Sequence, residues 1–304
     1  MTDAPILPAT EQADPRYREI DAWPADIALS ALFEAQLAAA AAVRAALPAL
    51  AAAVAAGEQR LRAGGRLVYA GAGTSGRLAV QDAVELAPTF DWPEQRLVLL
   101  PAGGLDSLVR AAEGAEDDAA AACRAVAESA VGATDIAIAL AASGRTPFTC
   151  AALQECGARG ALTIGIANSP DAPLLALATH PVLVETGAEP IAGSTRLKAG
   201  TAHKIVLNLL STALMLRLGR VHDGLMVDLR ATNAKLRARA LRMLRHLTGA
   251  GAEPAAAALA AAGGNVKAAV LLLHGLDLPA AQTLLARHDF HLRPALQELS
   301  RRPA

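Results

Sequence analysis

A chain of 304 residues can bury a full hydrophobic core, which excludes a peptide-sized binding module and suggests one large domain with, at most, small flanking pieces. Apolar residues make up 53% and aromatics only 3%, so Ala, Leu and Val must fill the interior, as in helices packed closely around a buried sheet, and an all-β fold is disfavoured. The formal charge is −1 with basic residues scattered, which argues against a nucleic-acid partner held by charge neutralisation and favours a small substrate.

Residues 1–24 are polar, Pro-containing and aperiodic, the pattern of an arm that is ordered only where it packs on something else. They hold no basic stretch followed by an apolar one, so no signal peptide is expected and a cytoplasmic location is. From Asp26 to Arg62 the sequence is rich in Leu and Ala and predicts one long helix, stopped by Gly64 and Gly65. Its apolar tract carries Arg44, Glu58 and Arg60, which marks a core helix rather than a membrane span.

Five short apolar runs follow, at 66–70, 96–102, 135–142, 161–168 and 181–186, most of them separated by stretches long enough for a crossover helix. Nearly continuous apolar runs with such spacing predict buried parallel strands, hence an α/β fold with a doubly wound five-stranded sheet. A helix is predicted over 195–218, then a polar loop over 219–224, then short helices punctuated by Gly249, Gly251, Gly263, Gly264, Gly275 and Pro279. The expected organisation is an N-terminal arm and helix (1–55), a sheet domain (56–220) and a helical C-terminal subdomain (225–304). Cys123, Cys150 and Cys156 lack metal-ligand spacing and read as free thiols, and the seven dispersed histidines predict no metal site.

The candidate chemistry lies where strands end. The first runs into Gly71-Ala72-Gly73-Thr74-Ser75-Gly76-Arg77 and then directly into a helical pattern. Such a loop offers backbone N–H groups, hydroxyls and a positive dipole end to an anion, with Gly73, Thr74 and Ser75 as candidate phosphate ligands. The GxGxxG spacing is present, but no acidic residue closes the second strand, where a dinucleotide's ribose would need one. The third strand ends alike in Ala142-Ser143-Gly144-Arg145-Thr146-Pro147, contributing Ser143, Gly144 and Thr146. A third loop, Gly193 to Thr201, contributes Ser194, Thr195 and the cation Lys198. Ser and Thr also serve as helix N-caps, but three hydroxyl-rich loops at one sheet edge point together to an anionic ligand.

These loops resemble the sugar isomerase (SIS) fold. The longer strings GAGTSGRLAVQDAVELAPTF, AVAESAVGATDIAIALAASGRTP, GSTRLKAGTAHKIVLNLLST and LMVDLRATNAKLRARA are similar to those of the N-acetylmuramic acid 6-phosphate etherase family, with the likeness running from Thr10-Glu11-Gln12 to the C-terminal helices. The resemblance implies a phosphosugar substrate, a homodimer, a role in recycling peptidoglycan amino sugars, and no metal or organic cofactor. It also carries the family's proton donor onto Glu85 and its second catalytic glutamate onto Glu116. The implied chemistry is removal of the acidified C2 proton of the ring-opened sugar, acid-assisted loss of the C3 lactyl ether, and addition of water at C3.

Three departures stand out: Leu86 and Ala87 after Glu85 where the family more often has Cys and Pro, Asn168-Ser169-Pro170 for an Asn-Pro ending, and His203 where Gln is expected. His203 is close enough in sequence to the third loop to be a candidate site-wall residue. Read from the residues alone, Glu85 also fits an ordinary helix-surface glutamate and Glu116 a solvated helix start. A phosphosugar-sensing regulator without catalysis and an aldose-ketose isomerase are the alternatives to an etherase.

Overall fold

In the computed structural model, which describes residues 7–110, 112–229 and 233–301, the chain forms two compact units. One comprises Met1–Ala83 and Gln95–Ser211, the other Val84–Glu94 and Thr212–Ala304. Arg230 to Thr232, inside one of the strings quoted above, lie outside the described residues.

The first unit is built on five parallel strands, β1 (Leu67–Gly71), β2 (Leu97–Pro101), β3 (Ile136–Leu140), β4 (Leu162–Ala167) and β5 (His180–Leu183), in the order β2-β1-β3-β4-β5. The first four lie within one or two residues of the corresponding predicted runs, and β5 starts one residue earlier and ends three residues earlier than its run of 181–186. Strands β1, β3 and β4 are buried along their whole length. This explains why they read as continuous apolar runs rather than alternating ones. Chain direction across the sheet reverses between β1 and β3, the point where an open parallel sheet of this order leaves a crevice at its carboxyl edge.

Helices α1 (Ala25–Arg62) and α2 (Gly73–Val84) flank the first strand in sequence, and α3 (Leu86–Phe90) follows. Then come α4 (Ala119–Glu128), α5 (Pro147–Ala158), α6 (Pro173–Leu177) and α7 (Lys198–Arg217). Small side chains on one sheet face, Ala70, Ala137, Ala139 and Ala141, let α4 and α5 pack closely through Ala122, Val126, Ala152 and Leu153. Helix α1 lies against β3, β4 and β5 and buries Ala39, Val43, Ala46 and Leu50. Helices α1 and α7 have the length and apolar composition of a membrane span; α1 leaves Ile27, Leu29, Phe33 and Leu37 exposed, and α7 buries Val206, Leu207, Leu210 and Leu214.

The second unit packs α8 (Ala234–Thr248), α9 (Ala252–Ala261), α10 (Val266–Leu273), α11 (Leu278–Arg287) and α12 (Leu292–Ser300) around Val227, Leu244, Leu259, Val270 and Leu284. Asn233, Asn265 and Asp277 cap α8, α10 and α11 by accepting from Leu236, Ala268 and Ala280 N–H, the side chains expected where helices begin.

At the amino edge of the sheet, Arg66 and Asp135 sit one residue before β1 and β3. The Asp135 carboxylate accepts from the Arg66 backbone N–H at 2.9 Å, from its Nη2 at 2.7 Å and from Gly132 N–H at 3.0 Å. The guanidinium also donates to the carbonyls of Ser129 and Ala130. Burial raises the Asp135 pKa, but the Arg66 guanidinium and the two N–H donors outweigh it, and the net direction is downward from 3.8. A carboxyl with a depressed folded pKa stabilises the fold above its unfolded pKa, and that contribution is lost as pH falls through the folded value. Asp135→Asn is therefore expected to lower unfolding free energy at pH 7 by about 2–3 kcal/mol. In denaturant titrations the gap to wild type should close as pH falls below 3.8.

Candidate functional site

At the crevice between β1 and β3, the first unit holds a cavity of about 360 Å3. The β1–α2 loop lines it with Ala72, Gly73, Thr74 and Ser75, and the β3–α5 loop with Ser143, Arg145 and Thr146. The third loop adds Gly193 and Thr195, and the connection after β2 adds Glu116 and Asp117. Six sequence-predicted ligands and one predicted catalytic glutamate thus share one cavity.

Local packing explains the first loop. Helix α2 starts at Gly73, so the N–H groups of its first turn have no intrahelical acceptor and point past the strand end. Gly71 and Gly76 close the loop back to back: a Cβ on Gly76 would lie 2.6 Å from the Gly71 carbonyl oxygen, a backbone contact that cannot yield. Gly144 turns the second loop with φ +65°, and a Cβ there would fall 2.2 Å from that of Ala172. Gly144 shapes its loop without lining the cavity, and Ser194 likewise sits between the lining residues Gly193 and Thr195.

Glu116 is exposed in a short 3-10 turn, Ala115–Asp117, entered through Gly114 in the left-handed region. The helix-start role open to this acidic run is taken by Asp118, which caps α4 by accepting from Ala121 N–H at 2.8 Å. Glu116 is left to face the cavity. Arg77 on α2 donates to the Ser107 carbonyl at 3.1 Å, tying this connection to the helix that opens the first loop.

Two other predicted residues lie behind the cavity wall rather than on it. Lys198 is buried; its Nζ donates to the Ala188 carbonyl at 2.9 Å, and burial moves its pKa down against the opposing pull of Glu189. Glu189, fully buried, accepts from the backbone N–H groups of Lys198 and Ala199 and so fills the positive end of α7. Burial raises the Glu189 pKa, and the two N–H donors and the Lys198 charge oppose that shift.

His203 is fully buried with Nδ1 3.2 Å from Ser75 Oγ, and burial holds its pKa down at about 4. Its Nε2 is buried with no partner among the described residues. Since orphaned buried N–H groups are rare, this favours the tautomer with the proton on Nδ1. In that form the imidazole donates to Ser75 Oγ and leaves the serine's own proton free for the cavity.

Sequence reasoning overlooked Glu11, Asp117 and Arg145 as lining residues. The N-terminal arm reaches the cavity because Thr10, fully buried, accepts from Gly193 N–H through its carbonyl at 3.0 Å. The Thr10-Glu11-Gln12 string was the available signal for Glu11, and the position of Arg145 inside the second loop was the signal for that cation. Glu85 lies in the second unit, exposed, in the turn between α2 and α3, with no side-chain capping bond. Among the described residues no group of three His, Cys, Asp or Glu side chains could hold a metal ion.

Ser75→Ala removes a hydroxyl that lines the cavity, and a bond from it to a bound anion would be worth about 1.5–3 kcal/mol. The inhibition constant of inorganic phosphate, read from competition with a sugar phosphate, should rise by about tenfold or more. His203 binds fewer protons folded than unfolded, so wild type should lose stability as pH falls from 6.5 towards about 4. His203→Gln should flatten that part of the thermal-melting profile.

Residues 49–157 match the glucokinase regulatory protein N-terminal SIS domain family, and residues 119–213 match the SIS domain family. An N-acetylmuramic acid 6-phosphate etherase of Deinococcus radiodurans is 53% identical over 290 residues, covering 95% of each chain. One of Streptomyces avermitilis is 47% identical over 289 residues, 94% of this chain and 93% of that one. Among solved structures, a phosphoheptose isomerase from Francisella tularensis aligns at 18% identity with a TM-score of 0.49, over 64% of this chain and all of that one. With more than half of its residues identical across nearly its whole length to such a relative, this chain belongs to the N-acetylmuramic acid 6-phosphate etherase family.

Proposed function

We propose that the chain is a carbon-oxygen lyase that cleaves the D-lactyl ether of N-acetylmuramic acid 6-phosphate, giving N-acetylglucosamine 6-phosphate and D-lactate in the recycling of peptidoglycan amino sugars. The observation that carries this reading is a carboxylate, Glu116, in the same cavity as two hydroxyl-rich loops at the carboxyl edge of a parallel sheet. The loops hold the phosphate through α2 N–H groups and the hydroxyls of Thr74, Ser75, Ser143, Thr146 and Thr195.

In the ring-opened sugar the C1 aldehyde acidifies the C2 proton. Glu116 takes that proton, and the electron pair forms an enolate that expels the C3 oxygen as the C2–C3 double bond forms. Glu85 gives a proton to the departing lactyl oxygen. Water then adds at C3 of the unsaturated aldehyde and C2 is reprotonated, so one water is consumed and both glutamates return to their starting states. In this reading the two glutamates carry the proton transfers, and no metal or organic cofactor is invoked. We place the enzyme in the cytoplasm as a homodimer, a state supported by the exposed apolar side chains Ile27, Leu29, Phe33 and Leu37 on α1.

The match to the glucokinase regulatory protein N-terminal SIS domain keeps a second reading in view, a phosphosugar sensor without catalysis. Release of D-lactate from the muramic substrate by purified protein separates the two; binding without lactate would select the sensor. In deuterated water, Glu116→Gln should abolish exchange of the C2 proton, whereas Glu85→Gln should stop lactate release and leave the exchange running. Full exchange in the Glu116 variant would overturn its assignment as base.

A further inference from the structure

In the second unit, Lys267 on α10 is buried to 2% exposure, and its three N–H donors meet three acceptors: Asp228 Oδ2 at 2.7 Å, the Phe290 carbonyl at 2.9 Å and the Gly219 carbonyl at 3.3 Å. Burial lowers the Lys267 pKa and raises that of Asp228, and each partner's charge opposes the other's shift. Lys267 Nζ and Asp228 Oδ2 stand in ion-pair contact at 2.7 Å. Asp228 Oδ2 also lies 3.6 Å from Arg220 Nε. Arg220 in turn donates through Nη1 to the carbonyls of Phe90 at 2.8 Å and Asp91 at 3.1 Å, and its guanidinium carbon stands 5.5 Å from the centroid of the buried Trp92 ring.

Those carbonyls end α3, the single-turn helix whose N-terminal flank is Glu85. At that end the chain is further constrained: Asp91 is in the left-handed region with φ 49°, and its N–H closes onto the Ala87 carbonyl at 3.0 Å. A buried ammonium, a carboxylate and a guanidinium thus form one line from the first turn of α10 to the segment that bears the proposed acid. An ordinary helix C-terminus needs no such line, because water or a glycine turn satisfies its last carbonyls. A five-residue helix also has too little propensity to hold its own shape.

We propose that Arg220, oriented by Asp228 and Lys267, is a positioning residue for Glu85: by fixing the far end of α3 it sets the place of the acid's carboxyl group, and this gives the C-terminal helices a role in the reaction. The proposal rests on Glu85 acting as the acid in the reading above.

The test uses full-length Arg220→Gln and Arg220→Lys. Four quantities are measured for each variant: lactate release from N-acetylmuramic acid 6-phosphate, C2 proton exchange in deuterated water, inhibition by inorganic phosphate, and melting temperature. Arg220→Gln should lower kcat for lactate release by between about 10- and 100-fold, the cost of a small misplacement of a reacting group. The C2 exchange rate and the phosphate inhibition constant should stay within twofold of wild type, and Arg220→Lys should recover part of kcat. The proposal is overturned if Arg220→Gln keeps kcat within twofold, whatever its melting temperature, or if exchange, phosphate binding and lactate release fall together. Wild-type protein that exchanges the C2 proton but releases no lactate would show instead that the etherase reading itself has failed, and the proposal with it.

Discussion

The backbone N–H groups at the start of α2 depend on a geometric constraint: a parallel strand that feeds directly into a helix at the switch point of a sheet delivers unpaired donors into a crevice. Such donors need a partner, and in an open crevice that partner is water or an anionic ligand. The features around them follow from keeping the crevice open and its loops close. Gly71 and Gly76 let strand end and helix start touch through backbone alone. Ser143 and Thr146 arrive from β3 because it is the neighbour of β1 on the side where chain direction reverses. Thr10 draws the N-terminal arm onto the third loop through Gly193.

Buried charge is handled in the same way at three places, always by saturating the donors and acceptors of each ion. Asp135 meets Arg66 and two backbone N–H groups at the amino edge of the sheet. Glu189 takes the two free N–H groups at the start of α7. Lys267 distributes three N–H bonds among a carboxylate and two carbonyls. Each arrangement offsets a large desolvation cost only because the partners are held rigidly, so each also fixes the relative position of the segments it joins. In the first two cases those segments are strand starts and a helix entry; in the third they are the start of α10, the loop after α7 and the turn before α12.

The strands were legible because burial on both faces leaves an almost unbroken apolar run, and the cavity-lining loops because Gly, Ser and Thr cluster at the strand ends. Glycines such as Gly249, Gly263 and Gly275, with Pro279, marked where the C-terminal helices are interrupted. Engagement of individual side chains was much less legible. Nothing in the string around Lys198 shows that its ammonium is satisfied by the Ala188 carbonyl, since that partner comes from loop geometry rather than from spacing. His203 lies close to the third loop in sequence, yet helix α7 turns its ring inward against Ser75. Glu11 could not be placed from local pattern because its position depends on a contact between Thr10 and Gly193, across most of the length of the sheet domain. The allegiance of Val84–Glu94 was hidden for the same reason: its partners, Arg220 and the elements behind it, come more than a hundred residues later.

The side chains lining the cavity include three carboxyl groups, Glu11, Glu116 and Asp117, against one guanidinium, Arg145. A phosphorylated sugar bound there would be held by oriented dipoles and hydroxyls rather than by an excess of positive charge. Dipoles act at contact range, whereas an unbalanced charge reaches outward over a Debye length of about 8 Å at physiological ionic strength. Capture at such a site gains no long-range attraction: the surplus of carboxylates opposes an approaching phosphate, and dissolved salt, by screening that repulsion, should speed the encounter.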